Sequence, residues 1–192
     1  MAGAFGPRLA RAVEATIAAH QAFVAAQVGP AGESGARLIR DAVLGGHLVL
    51  AFGNGGSATD AQHLTAELVV RFARTRRAVA AIALTADSAV LTAAANDFGV
   101  AAMFARQVEA LGRPGDVAVA MTTSGQSANV IEALKVARAK GMSTIALTGR
   151  DGGEAGTLAD VHVNVPSEVT ARIQEVHRTW IHAVCEWVEE DL

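Results

Sequence analysis

The chain has 192 residues, 51% hydrophobic and 18% charged, with a formal net charge of -3 at pH 7. That is enough to bury the core of one domain, too apolar for disorder, and without the basic excess that draws a protein to nucleic acid or an anionic membrane. A lone cysteine, Cys185, excludes an intrachain disulfide framework and a multi-cysteine zinc site, and 4% aromatics with no tyrosine leave no material for base-stacking platforms.

Residues 8–28 read as an amphipathic helix, with Leu9, Val13, Ile17 and Phe23 among its apolar positions and Gly29-Pro30 as its stop. Arg8, Arg11 and Glu14 break up the charged-then-apolar order of a signal peptide. A second helix is expected from Ser34 to Leu44, ended by Gly45-Gly46. Apolar strands are then predicted at 47–52, 79–84, 117–121, 143–147 and 161–165. Helical stretches are predicted between and after them at 57–73, 87–95, 101–111, 127–140 and 168–190, with a short helix after the fourth strand. No apolar run reaches the ~20 residues of a membrane span, so a soluble cytoplasmic protein is expected.

Regular alternation of helices with continuously apolar strands argues an α/β fold. Five parallel strands would form an open sheet covered by helices on both faces, a three-layer arrangement. Residues 1–192 are expected to form one domain, with the helices of 1–45 packing on it or on a neighbouring subunit. Open parallel sheets bind ligands at the carboxyl ends of their strands, beside helix starts.

Two strand ends carry suggestive loops. Gly53-Asn54-Gly55-Gly56-Ser57 follows the first strand and opens a helix. Glycines let a ligand approach the backbone, and free N–H groups at a helix start favour anions. It lacks the Gly-Lys-Ser/Thr ending of a Walker loop, and a plain tight turn explains it equally well. Thr122-Thr123-Ser124-Gly125-Gln126-Ser127-Ala128-Asn129 follows the third strand and carries four hydroxyls. One N-cap needs one hydroxyl, so the surplus points to a phosphate cradle. Without a fixed positive charge, the cradle suits a small sugar phosphate better than a nucleotide.

On the helix after the first loop, His63 and Glu67 are four residues apart and share a face. The last helix carries Gln174, His177 and His182, and about 12 Å of helix rise separates Gln174 from His182. Two readings stay open. His63, Glu67, Gln174 and His182 could surround a divalent metal, since imidazole and carboxylate suit zinc and an amide would make the site labile. Alternatively, Glu67 and His182 are a general base and acid needing no metal. An isolated His/Glu pair on a helix is a surface pair more often than a site. Asn96-Asp97 reads as a turn or as a hydroxyl-binding pair. Arg71, Arg74, Arg76 and Arg77 read as a solvated or subunit-contacting segment, and Cys185 as inert core.

Taken together these motifs resemble the sugar isomerase (SIS) domain family, and within it the phosphoheptose isomerases, over residues 34–190. The resemblance rests on Gly53–Ser57, Ala61-Gln62-His63 with Glu67, Ala83-Leu84-Thr85 with Leu91-Thr92, Asn96-Asp97 and Arg106-Gln107. It continues through Gly115-Asp116, Thr123-Ser124-Gly125 with Ser127, Leu147-Thr148-Gly149 with Gly152-Gly153, and Arg172-Ile173-Gln174-Glu175. It implies an aldose–ketose isomerase, assembled as a homotetramer with sites at subunit interfaces. The implied reaction converts sedoheptulose 7-phosphate to D-glycero-D-manno-heptose 7-phosphate, the first step of ADP- or GDP-heptose biosynthesis.

By the same resemblance Thr122, Thr123, Ser124 and Ser127 hold the phosphate. Asn54, Gly55, Gly56, Ser57, Asn96, Asp97 and Gln174 bind the substrate. His63, Glu67, Gln174 and His182 ligate a labile Zn2+, one per subunit, and Glu67 and His182 are the acid/base pair. The chain departs from the family pattern in having Thr122 for a usual serine, which keeps the hydroxyl, and in lacking a proline after Arg76-Arg77. Competing expectations are a non-catalytic SIS-domain protein that associates with a replication initiator, which retention of Glu67 and His182 argues against, and an isomerase of another ketose phosphate.

Overall fold

The computed structural model describes residues 5–27 and 30–192. The elements run α1 (Phe5–Gln27), α2 (Pro30–Leu44), β1 (Val49–Gly53), α3 (Gly56–Val69), β2 (Ala81–Ala83), α4 (Ser88–Phe98), α5 (Ala105–Leu111), β3 (Val117–Thr122) and α6 (Ala128–Ala139). They continue through β4 (Ser143–Gly149), α7 (Gly153–Leu158), β5 (Val161–Val165) and α8 (Thr170–Glu189). The predicted end of the first helix at residue 28 and its Gly29 stop lie outside the described residues. Pro30 opens α2 instead of only closing what precedes it, a position where its missing N–H costs nothing. Among the described residues no helix is long and apolar enough to cross a membrane.

The five strands form one sheet in the order β2-β1-β3-β4-β5, with every neighbouring pair parallel. Alternate strand residues feed two cores. Val49 and Ala51 of β1 with Val117, Val119 and Met121 of β3 pack under α2, α3 and α8, against Ile39, Leu64, Leu68, Ile181 and Val184. Leu50 and Phe52 with Ala118 and Ala120 face the other way, against Phe104, Val108, Val130 and Leu134. All eleven residues of β1 and β3 are buried, which is why these strands read as unbroken apolar runs. The edge strand β2 is shorter than the predicted 79–84: the Val79 N–H bonds the Leu68 carbonyl of α3, beyond the sheet.

α3 and α8 run side by side in the same direction. Gly56 lies against the Gln174 amide, Asp60 accepts two bonds from Arg178, and His63 meets His182. α3 ends at Val69, short of the predicted 73. The reason is remote in sequence: the buried Glu189 carboxylate accepts the N–H groups of Phe72, Ala73 and Arg74 at 2.6, 2.8 and 2.9 Å, turning the chain away from the helix.

α8 also buries His177, whose Nε2 donates to the Thr148 carbonyl at 2.9 Å while Nδ1 has no partner. Burial pushes this imidazole down to about 4, although the Thr148 carbonyl and Asp60 favour its charged form. Between that value and the ordinary 6.5 the unfolded chain binds the extra proton, so stability falls as pH falls through this window. The loss amounts to about 3 kcal/mol once the window is crossed. Thermal melts from pH 7 to pH 4 should show it, and His177→Gln, which keeps a donor but no titrating ring, should flatten the profile. An unchanged slope in the variant would remove His177 as the cause.

Candidate functional site

A cleft of about 280 Å³ opens at the carboxyl ends of β1 and β3. In this strand order that is the point where the chain's connections diverge, the place open parallel sheets offer a ligand. Asn54, Gly55, Gly56 and Ser57 line it from the first loop, Thr122, Thr123, Ser124 and Ser127 from the second, and Gln174 from α8. Two helices begin here, and neither is capped by a side chain. Gly55 has none to offer at the start of α3. Ser127 stands at the N-cap of α6 but leaves the backbone uncapped, its hydroxyl lying 3.1 Å from Thr122 Oγ1. Thr122 Oγ1 is also 3.4 Å from Ser124 Oγ, so three hydroxyls converge at the start of α6. Hydroxyls and N–H groups at a helix start form an anion cradle.

Two close approaches shape the cleft. A Cβ on Gly56 would sit 2.4 Å from the Gln174 amide nitrogen, so glycine is what lets Gln174 reach the cleft. Gly125 has φ +67°, and its Cβ would fall 2.0 Å from the Gly152 carbonyl oxygen. The β4–α7 loop thus backs the cradle directly, with the Ala155 N–H bonded to the Gly125 carbonyl at 3.0 Å. Asn129 is a functional candidate that sequence reasoning quoted but did not assign. Its side chain and that of Asn54 exchange amide bonds of 2.8 and 2.9 Å, joining the two loops. The available signal was an asparagine in the first turn of a helix, where the residue is 5% exposed.

Further along α3 and α8 lies a second group. His63 Nε2 is 2.7 Å from His182 Nε2 and 3.5 Å from Glu67 Oε1. Which ring nitrogen donates in this contact depends on the tautomers of the two imidazoles. The Phe72 ring covers His182 at a centroid distance of 5.6 Å. Carboxylate and two imidazoles in contact can remove, hold and return protons. The same donors have the chemistry zinc prefers. Among the described residues, however, no group of three or more His, Cys, Asp or Glu side chains is arranged to hold a metal ion. Of the four expected ligands, the structure brings His63, Glu67 and His182 together and leaves Gln174 at the cleft.

Asn96 and Asp97 are exposed in the last turn of α4, not in a turn after it, with the Asn96 amide donating to Asp97 at 2.8 Å. They do not line the cleft. Asp97 borders a separate apolar groove of about 610 Å³ with Ile82, Val90, Phe98 and Leu111. The reading of the arginine run as solvated fails for Arg76, whose side chain is 3% exposed. It is folded under α3, drawn in by the buried Glu189 and by the helix's last carbonyls. Cys185 is inert core: burial, then Glu67 and Glu189, push its thiol up to about 12.

The SIS domain family model matches residues 13–149. The chain belongs to the SIS domain family. Within it, this SIS domain is 50% identical over 185 residues to the phosphoheptose isomerase of Paramagnetospirillum magneticum, covering 95% of this chain and 96% of the relative. It is 56% identical over 155 residues to that of Aquifex aeolicus, covering 81% of each. The solved phosphoheptose isomerase of Neisseria gonorrhoeae superposes with a TM-score of 0.91 at 43% identity, over 97% of this chain and 100% of the other. That of Francisella tularensis superposes with a TM-score of 0.92 at 35% identity, over 98% and 100%. This SIS domain is therefore an enzyme, an isomerase of the phosphoheptose isomerase group.

Proposed function

We propose that this SIS domain interconverts sedoheptulose 7-phosphate and D-glycero-D-manno-heptose 7-phosphate, opening the supply of ADP- or GDP-heptose. The observation that carries the reading is one helix, α3, that begins at an uncapped anion cradle and bears Glu67 3.5 Å from His63, whose ring in turn meets His182. Thr122, Thr123, Ser124 and Ser127 take the phosphate, and Asn54, Gly55, Gly56, Ser57 and Gln174 the adjoining hydroxyls. Anchoring the phosphate converts collision into positioning. Glu67 removes the carbon-bound proton next to the carbonyl and returns it to the neighbouring carbon. His182 carries the hydroxyl proton as the carbonyl migrates, with His63 holding its ring. His63, Glu67 and His182 are the residues that would hold a zinc ion, whose chemistry when bound would be to stabilise the enediolate charge; Gln174, about 12 Å of helix rise from His182, would join them as a fourth donor only from a neighbouring chain.

About 16 Å of helix rise separates Gly56 from Glu67. Asn96 and Asp97 stand outside the cleft, beside an exposed apolar groove, and α1 exposes Leu9, Val13 and Ile17. These separations support an assembly in which neighbouring chains complete each site; we take it to be a homotetramer and place it in the cytoplasm. Proton NMR of the purified protein with sedoheptulose 7-phosphate should show a new aldose anomeric signal. Metal analysis of protein prepared without chelator should find one zinc per chain. No turnover with or without added zinc would overturn the heptose assignment. Turnover by zinc-free protein would leave Glu67 and His182 working alone.

A further inference from the structure

We propose that Arg76 and Glu189 are positioning residues for the acid/base pair, a buried lock that ties both of its members to a single carboxylate. The proposal rests on the isomerase reading of that pair. Glu189 follows His182 by two helical turns, so the two share a face of α8. Its carboxylate is 2% exposed and accepts three consecutive N–H groups, the first of them from Phe72. Burial pushes Glu189 up, but those three bonds and Arg76 outweigh it and hold the carboxyl below its ordinary value. The bond to Phe72 sets where that residue sits, and its ring is the one packed on His182.

The other arm runs through Arg76. Its Nε lies 3.4 Å from Glu189 Oε1, with the two side chains 3% and 2% exposed. Its Nη2 donates to the Glu67 carbonyl at 2.6 Å and its Nη1 to the Leu68 carbonyl at 2.7 Å. The last carbonyls of a helix have no partner within it, and a cation there also complements the helix dipole. Arg76 therefore stands in for the next turn of α3, directly behind the residue that carries the catalytic carboxylate. One arm fixes the ring over His182 and the other the backbone of Glu67. Neither Arg76 nor Glu189 lines the cleft.

A lock of this kind should act on kcat and spare KM, whereas a merely structural ion pair should act on stability alone. Glu189→Gln leaves Arg76 buried without its counter-charge and should lower the melting temperature. Arg76→Met combined with Glu189→Gln removes both charges and should recover most of that loss. Phe72→Leu leaves the ion pair intact and removes only the ring. Measured well below each melting temperature, all three should lose at least about tenfold in kcat with KM for the ketose phosphate within about twofold.

A second readout does not need turnover. The rate at which diethyl pyrocarbonate modifies His63 and His182, followed by mass spectrometry, should rise at least about threefold in each variant as the rings come free. Folded variants with parental kcat and parental modification rates would overturn the proposal, as would kcat and KM moving together. If the parent protein itself turns over no ketose phosphate, the isomerase reading falls, and the modification rates alone still decide whether the lock holds the two rings.

Discussion

Glu67→Gln is expected to lower kcat by about 10³-fold while KM for the sugar phosphate stays within about threefold, since a positioned general base supplies 10²–10⁴. Glutamine keeps the length and shape of the side chain. It keeps a polar group beside His63, which lies 3.5 Å from the Glu67 carboxylate. What it cannot do is accept a proton from carbon. The cradle lies at the opposite end of α3, so substrate should still bind. Turnover in heavy water makes the assignment specific: the parent should wash deuterium into the carbon beside the carbonyl, and the variant should not. A variant within tenfold of the parent, or one that still exchanges that proton, would take the base role away from Glu67.

The second large effect is expected at Gly125. An alanine there meets two obstacles. The backbone stands at φ +67°, which costs a non-glycine residue about 1 kcal/mol or more. The new Cβ would also lie 2.0 Å from the Gly152 carbonyl oxygen and 2.4 Å from its carbon. Both are backbone, so neither can swing aside. The β4–α7 loop must move away, stretching the Ala155–Gly125 bond and spreading the hydroxyls around the start of α6. Gly125→Ala should therefore cost about 2–4 kcal/mol of stability and raise KM by an order of magnitude or more. Gly46→Ala separates the two causes. Its φ is +75°, but nothing lies within 4 Å of the added carbon. It should show the conformational cost with an unchanged KM. Equal KM values for Gly125→Ala and the parent would mean that the phosphate does not sit on this loop.

The layered fold was legible because β1, β3 and β4 are buried on both faces, and a strand of that kind leaves an unbroken apolar run between glycine-rich ends. The cleft was legible for the same reason: surplus hydroxyls after β3 cannot all serve one helix cap. The separation of Gln174 from His182 also followed from helix rise alone. What could not be read was anything decided by a remote partner. The run after Val69 is ended by Glu189, and nothing local announces it. Arg76 sits among three other arginines, yet its side chain is buried, because the carbonyls of Glu67 and Leu68 and the Glu189 carboxylate converge on its position. Asn129 gave no hint of Asn54, 75 residues earlier.

The pairing of α3 with α8 also sets when the enzyme can exist. The two His63 and His182 rings are 119 residues apart in sequence, and Asp60 and Arg178 are 118 apart. During synthesis the sheet and its loops precede α8, so a nascent chain passes through a state with His63 beside Glu67 and no His182 to pair with it. A chain released early, before residue 170, would keep the hydroxyl loop and lack His182 altogether. Such a fragment would also lack Gln174 at the cleft and the apolar face of α8 that covers β1 and β3. Catalytic competence thus waits for α8 to dock beside α3 and, in the proposed assembly, for neighbouring chains to complete the site.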